Sequence, residues 1–76
     1  MSKLPRVTAT ELIRALNRDG WHELRQQSGS HVILGHASKS GLLIIPMHKG
    51  KALRTGLIAK TLKDAGLTSD DLRRLL

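Results

Sequence analysis

The chain has 76 residues with a net charge of +7, a single tryptophan, no phenylalanine or tyrosine, and no cysteine. At that length it reads as one domain, residues 1–76, which buries only about 60% of the surface its unfolded form exposes. The lack of cysteine excludes a disulfide scaffold, thiol catalysis and thiolate metal sites, and it fits a reducing cytoplasm. No apolar run approaches the roughly 20 residues that span a bilayer, and Leu4-Pro5 is no export-signal core, so the reading is a soluble, unexported, cytoplasmic protein with no membrane partner.

Thr8-Ala9-Thr10-Glu11 has the spacing of a capping box, with Val7 and Leu12 placed as a hydrophobic staple. Ala9, Leu12, Ile13 and Leu16 share one stripe, and Asp19-Gly20 supplies a stop, which predicts a first helix of about ten residues. Trp21 to Gln27 predicts a strand, Ser28-Gly29-Ser30 a turn, His31 to His36 a second strand, and Ala37 to Ser40 another small polar turn. Gly41 to Ile45 predicts a third strand, apolar on both faces through Leu42-Leu43-Ile44-Ile45 and ended by Pro46. Two successive hairpins imply a three-stranded antiparallel meander.

A basic loop from Met47 to Arg54 then leads into a second helix capped by Thr55, with Leu57, Ile58, Leu62 and Ala65 on one face and Gly66 at its end. Thr68-Ser69-Asp70-Asp71 starts a short terminal helix that carries Leu72, Leu75 and Leu76. The order α-β-β-β-α(-α) is an α+β fold with both long helices on one face of the sheet, because each has a single apolar stripe to bury.

No acidic residue lies between Glu23 and Asp64, whereas Arg25, Lys39, Lys49, Lys51, Arg54, Lys60 and Lys63 all do. Outside that window six basic residues are matched by six acidic ones, so the whole excess sits mid-chain with His31, His36 and His48. Such segregation is the footprint of a phosphate-rich partner, nucleic acid ahead of an anionic membrane. Lys49, Lys51 and Arg54 precede a helix whose amino terminus attracts anions, which makes this loop a candidate phosphate site. With Trp21 the only aromatic, recognition of single strands by base stacking has little support, and readout of backbone and shape is the alternative.

The basic window holds no paired carboxylates for glycosidase or two-metal chemistry, and the chain has no GxGxxG or P-loop. The histidine spacings match no familiar zinc set, so neither a metal nor a cofactor is expected. Ser30 and His31 are neighbours, and alternation along a strand would send them to opposite faces, so they do not form a nucleophile and base. His31 has the best position for chemistry, since it follows a turn whose amides are free to approach a phosphate and it begins a rigid strand. Imidazole exchanges a proton near neutral pH. Beside an RNA phosphodiester it would deprotonate the 2′-hydroxyl, with nearby Lys or Arg offsetting charge on the phosphorane. A histidine that only grips a phosphate or caps the turn stays open as the other reading. His36 falls on the opposite strand face and reads as a surface or turn residue, His22 has a structural place, and His48 reads as orienting the loop.

Gly20-Trp21, Arg25-Gln26-Gln27-Ser28-Gly29-Ser30-His31, Ile45-Pro46-Met47-His48, and Lys51-x-Leu53-x-x-Gly56 leading to Ile58 and Ala65-Gly66-Leu67 resemble the HicA toxin family of bacterial toxin-antitoxin modules. The resemblance covers nearly the whole chain. It implies a double-stranded-RNA-binding-domain-like fold turned into a ribonuclease that cleaves mRNA without a metal and inhibits translation, with His31 as the catalytic residue. It also implies a HicB antitoxin that covers the active site and often carries a DNA-binding segment, so DNA is reached only through that partner. In the family the aromatic after the first helix is commonly Phe, where this chain has Trp21.

The resulting expectation is a metal-independent endoribonuclease with His31 as general acid or base and His48 as a candidate auxiliary group. Arg25, Ser28, Gly29, Ser30, Lys49, Lys51 and Arg54 would hold the RNA. The alternatives are a non-catalytic double-stranded-RNA-binding module, and a small DNA-binding or ribosome-associated protein, for which no recognition-helix pattern is present. The apolar strand from Leu42 to Ile45 beside an uncovered sheet face adds the expectation that the antitoxin docks on that face or its edge, or over the His31 turn.

Overall fold

The computed structural model describes residues 4–27, 30–47 and 50–76, with the backbone alone for Arg25, Gln26 and Gln27. The elements run α1 (Ala9–Arg18), β1 (Trp21–Gln27), β2 (His31–His36), β3 (Leu43–Pro46), α2 (Thr55–Ala65) and α3 (Ser69–Leu75). This is the expected α+β order with one three-stranded antiparallel sheet, strand order β1-β2-β3.

The predicted capping box forms: the Glu11 backbone N–H donates to Thr8 Oγ1 at 3.2 Å, and the Thr8 N–H donates to Glu11 Oε1 at 2.8 Å. Ala9, Leu12, Ala15 and Leu16 make the buried stripe of α1. Gly20 then reverses the chain at φ +104°, and a Cβ there would lie 2.6 Å from His36 Nε2, so both backbone and space demand glycine. α2 ends on Gly66 in the left-handed conformation, as its sequence position suggests. α3 repeats the α1 device with Thr68 and Asp71, and its Leu72 is fully buried.

Three boundaries differ from expectation. β3 starts at Leu43 rather than Gly41, because Gly41 has φ +85° and belongs to the turn. It includes Pro46 rather than stopping before it: Pro46 lies opposite His31 on the outer strand, where its missing N–H costs no ladder bond. The N-cap of α2 is Arg54, not Thr55, and it makes no side-chain cap bond. The Leu53 N–H donates to the Val7 carbonyl at 2.8 Å, which holds the chain extended up to Arg54, and the helix begins directly after it.

The helices pack on one face of the sheet, with α1 against β1 and β3 and α2 against β3. Trp21, Val32, Leu34, Leu43 and Ile45 face them and join Leu12, Leu16, Ile58, Leu62 and Leu72 in the core. Each fully buried Leu or Ile contributes roughly 1.5–3 kcal/mol relative to exposure. The other face has no helix over it. There β3 alternates as a half-covered strand must, with Leu43 and Ile45 buried and Ile44 53% exposed. Leu24 and Leu42, 52% and 58% exposed, add to this apolar surface.

His36 lies on the face opposite His31, as expected, but it is more than a surface or turn residue. It lies on the helix side, with its ring edge-on to Trp21 at a centroid distance of 5.2 Å. Nδ1 accepts the Ser38 backbone N–H at 3.0 Å, which leaves Nε2 to donate to the Asp19 carbonyl at 2.7 Å. Beside it Lys39 Nζ donates to Asp19 Oδ2 at 2.7 Å and to the Ala65 carbonyl at 2.8 Å, joining the β2–β3 turn to the ends of α1 and α2. His36 and Lys39 are therefore fastenings of the fold.

Candidate functional site

Antiparallel pairing brings the start of β2 to the end of β3, with His31 opposite Pro46 on one side and Gln27 on the other. Because Val32 and Leu34 point into the helix-side core, alternation sends His31 and Ile33 to the helix-free face. His31 is partly exposed there.

The Ser30 hydroxyl lies 3.2 Å from His31 Nδ1. The expectation that these neighbours point apart fails, because Ser30 is in the turn and strand alternation does not govern it. The pair still does not make Ser30 an activated nucleophile. A hydroxyl can donate to a bare Nδ1 or accept from a protonated one, so the contact engages Nδ1 and leaves Nε2 without a partner among the described residues. The Met47 N–H donates to the Ser30 carbonyl at 2.7 Å and fixes this turn against the end of β3.

The basic loop is held by a second anchor. An antiparallel bridge joins Thr8 to Ala52 and, with the Leu53 bond to Val7, ties the loop to the segment before α1. Lys51 and Arg54 are exposed and have no acidic partner among the described residues. Together with Pro46, Leu53 and Leu57 they line a cavity of about 320 Å³. Pro46 lines this cavity and is also the register partner of His31, so the cavity adjoins the end of β3 at which His31 pairs. The first turn of α2 carries no acidic residue, and its amides add positive potential beside Arg54.

Of the residues expected to serve the site, Ser30, His31, Lys51 and Arg54 are brought to this end. Ser28, Gly29, His48, Lys49 and the side chain of Arg25 lie outside the described residues. Arg6, which charge counting set aside as balanced, is exposed next to Val7 and so arrives at the same end through the Val7–Leu53 pairing. Nothing in its local sequence signalled this; the long-range bridge supplies it. Conversely, Lys39 and Lys60 belong to the basic window but are engaged with Asp19 and Asp64.

Among the described residues no three His, Asp or Glu side chains stand together as a metal cage. No described helix is long and apolar enough to cross a membrane.

Residues 9–67 match the family model described as the HicA toxin of bacterial toxin-antitoxin. The match runs from the start of α1 to the residue after the Gly66 cap and leaves α3 outside it. No curated protein matches the sequence at a significant level.

Proposed function

The chain belongs to the HicA toxin family of bacterial toxin–antitoxin systems, and on that footing we propose that it is an endoribonuclease that cleaves mRNA at His31 without a metal ion. As a toxin of such a system it has an antitoxin as its counterpart, which we take to be of the HicB type. The observation that carries the catalytic reading is the joint placement of a partly exposed His31, held through Nδ1 by Ser30, and of Lys51 and Arg54, two cations with no acid beside them.

In this reading Lys51, Arg54 and the amides at the start of α2 hold the RNA phosphates. Neutral His31 takes the 2′-hydroxyl proton at Nε2 while the 2′-oxygen attacks phosphorus and the bond to the 5′-oxygen breaks. The leaving 5′-oxygen takes a proton from water and His31 returns its own to the solvent, so the products are a 2′,3′-cyclic phosphate and a 5′-hydroxyl. Nearby cations offset the charge that builds on the phosphorane. His48 remains the candidate for a second proton-transfer group.

The test is incubation of the protein and of His31→Ala with a long RNA in EDTA, followed by denaturing gels and a binding assay. Cleavage by the wild type, reduced about 10²- to 10⁴-fold in His31→Ala with RNA binding retained, is the expected result. Equal cleavage by both proteins would remove His31 from the chemistry. Salt-sensitive binding without cleavage by either, on free and ribosome-bound message alike, would leave a binding module.

A further inference from the structure

β3 is an outer strand, and outer strands offer unpaired N–H and C=O groups to any chain able to pair with them. The opposite edge is blunted: β1 carries a register break between Glu23 and Arg25, with charged residues on either side of it. β3 has no charge and no bulge, only Pro46 at its last position. The Met47 N–H bond to the Ser30 carbonyl fixes which pairs are hydrogen-bonded. Counting back along the register, Val32–Ile45 and Leu34–Leu43 are bonded pairs, and the N–H and C=O of Ile44 point away from the sheet. Among the described residues neither group has a partner.

Beyond this edge α2 presents Leu57, Lys60, Thr61 and Asp64, spaced three and four apart so that they form one stripe along the helix. The stripe and β3 enclose a groove of about 190 Å³, which meets the larger cavity through Leu57. The trough follows the length of β3, about 13 Å at roughly 3.3 Å per residue. Its middle is apolar, Lys60 and Asp64 neutralise each other at 3.0 Å, and Lys51 and Arg54 leave its lower end positive.

We propose that the outer edge of β3 receives an extended acidic segment of a protein partner, added as a fourth strand of the sheet. Ile44 offers a donor and an acceptor side by side at strand spacing, which an extended peptide matches with its own backbone, whereas the phosphates of RNA meet only the donor. A second copy of this chain is disfavoured because edge-to-edge pairing would bring two molecules of charge +7 together, each with Lys51 and Arg54 beside the seam. Carboxylates at one end of an incoming strand meet those cations instead. The inference rests on the toxin reading in one respect: the partner is the antitoxin, and its strand would exclude RNA from Lys51 and Arg54.

The experiment uses the full chain carrying His31→Ala, without RNA, so that peptide binding and cleavage succeed or fail separately. The probe is a blocked octapeptide of alternating Glu and Val or Thr. The expected result is that the Ile44 amide shifts in NMR spectra and becomes protected from hydrogen exchange. Affinity should fall at least about 10-fold when alternate peptide nitrogens are methylated, when Glu is replaced by Lys, and in Arg54→Glu, whose exposed site leaves Trp21 fluorescence as the check on folding. No binding, or equal binding by the methylated peptide, overturns strand addition. Protection of Ile44 without peptide, in a dimer seen by sedimentation, would assign the edge to a second copy. Tighter protection by an octanucleotide of RNA would assign it to nucleic acid.

Discussion

The contact between Ser30 and His31 is the smallest unit on which the proposed chemistry depends. Removing the hydroxyl leaves Nδ1 solvated and the ring free to turn, while the backbone of the turn and the nearby cations stay in place. Ser30→Ala should therefore lower the cleavage rate about 3- to 10-fold, the worth of one hydrogen bond of roughly 0.5–1.5 kcal/mol, with RNA affinity unchanged. Ser30→Thr should restore the rate, which a purely structural role of the position would not require; single-turnover cleavage beside an equilibrium binding curve separates the two. The place of His31 at the head of β2 was legible in the sequence, because small residues followed by a histidine and an apolar run are a local pattern. The Ser30 contact was not, since the alternation rule stops one residue short of it. Nor was the role of His36, whose partners Asp19 and Trp21 lie 17 and 15 positions away and are met only after the sheet pairs. Trp21 itself is buried with its indole N–H unpartnered among the described residues, so nothing at this position requires more than an apolar aromatic ring.

At the level of elements, α1 and α3 each open on a Thr paired with an acid three residues on, which is why both starts were readable while that of α2 was not. In α2 the boundary is set by the Leu53–Val7 hydrogen bond, a contact between residues 46 positions apart, and the Thr55 hydroxyl has no part in it. The two caps also set a pH dependence. The Thr8 backbone N–H, and then its hydroxyl, hold the Glu11 carboxyl below its ordinary value of 4.5. The Thr68 backbone N–H, and then its hydroxyl, do the same for Asp71 below 3.8. A carboxylate whose folded value is depressed contributes its stability above the unfolded value and loses it as pH falls through the folded one. Wild type should therefore lose stability progressively below about pH 4.5. Glu11→Gln and Asp71→Asn keep a cap acceptor but cannot titrate, so they should be less stable than wild type at neutral pH and converge on it in acid. Urea melts followed by the fluorescence of Trp21, the only tryptophan, measure this directly; parallel curves at every pH would detach the caps from acid unfolding.

Across the whole molecule, the sequence locates the positive excess in a window, but the fold decides which of its charges are available. Lys39 binds Asp19 and the end of α2, and Lys60 pairs with Asp64, whereas Lys51 and Arg54 are joined by Arg6 from outside the window. Charge counting sees composition along the chain, and this sorting depends on contacts across it. If RNA is held at the start of α2, each free cation that touches a phosphate displaces counterions, and the slope of log K against log salt changes by about 0.7 per contact with single strands. Lys51→Ala and Arg54→Ala should each flatten the slope by about that amount, and Arg6→Ala should act in the same direction. Lys60→Ala should leave it unchanged, since its charge is already matched on the protein. Filter binding of a single-stranded RNA between low and physiological salt gives the four slopes. A Lys60→Ala slope as flat as that of Arg54→Ala would mean that the RNA runs along α2 beside the β3 edge, and RNA and the acidic strand would then compete for the length of the groove rather than for its lower end alone.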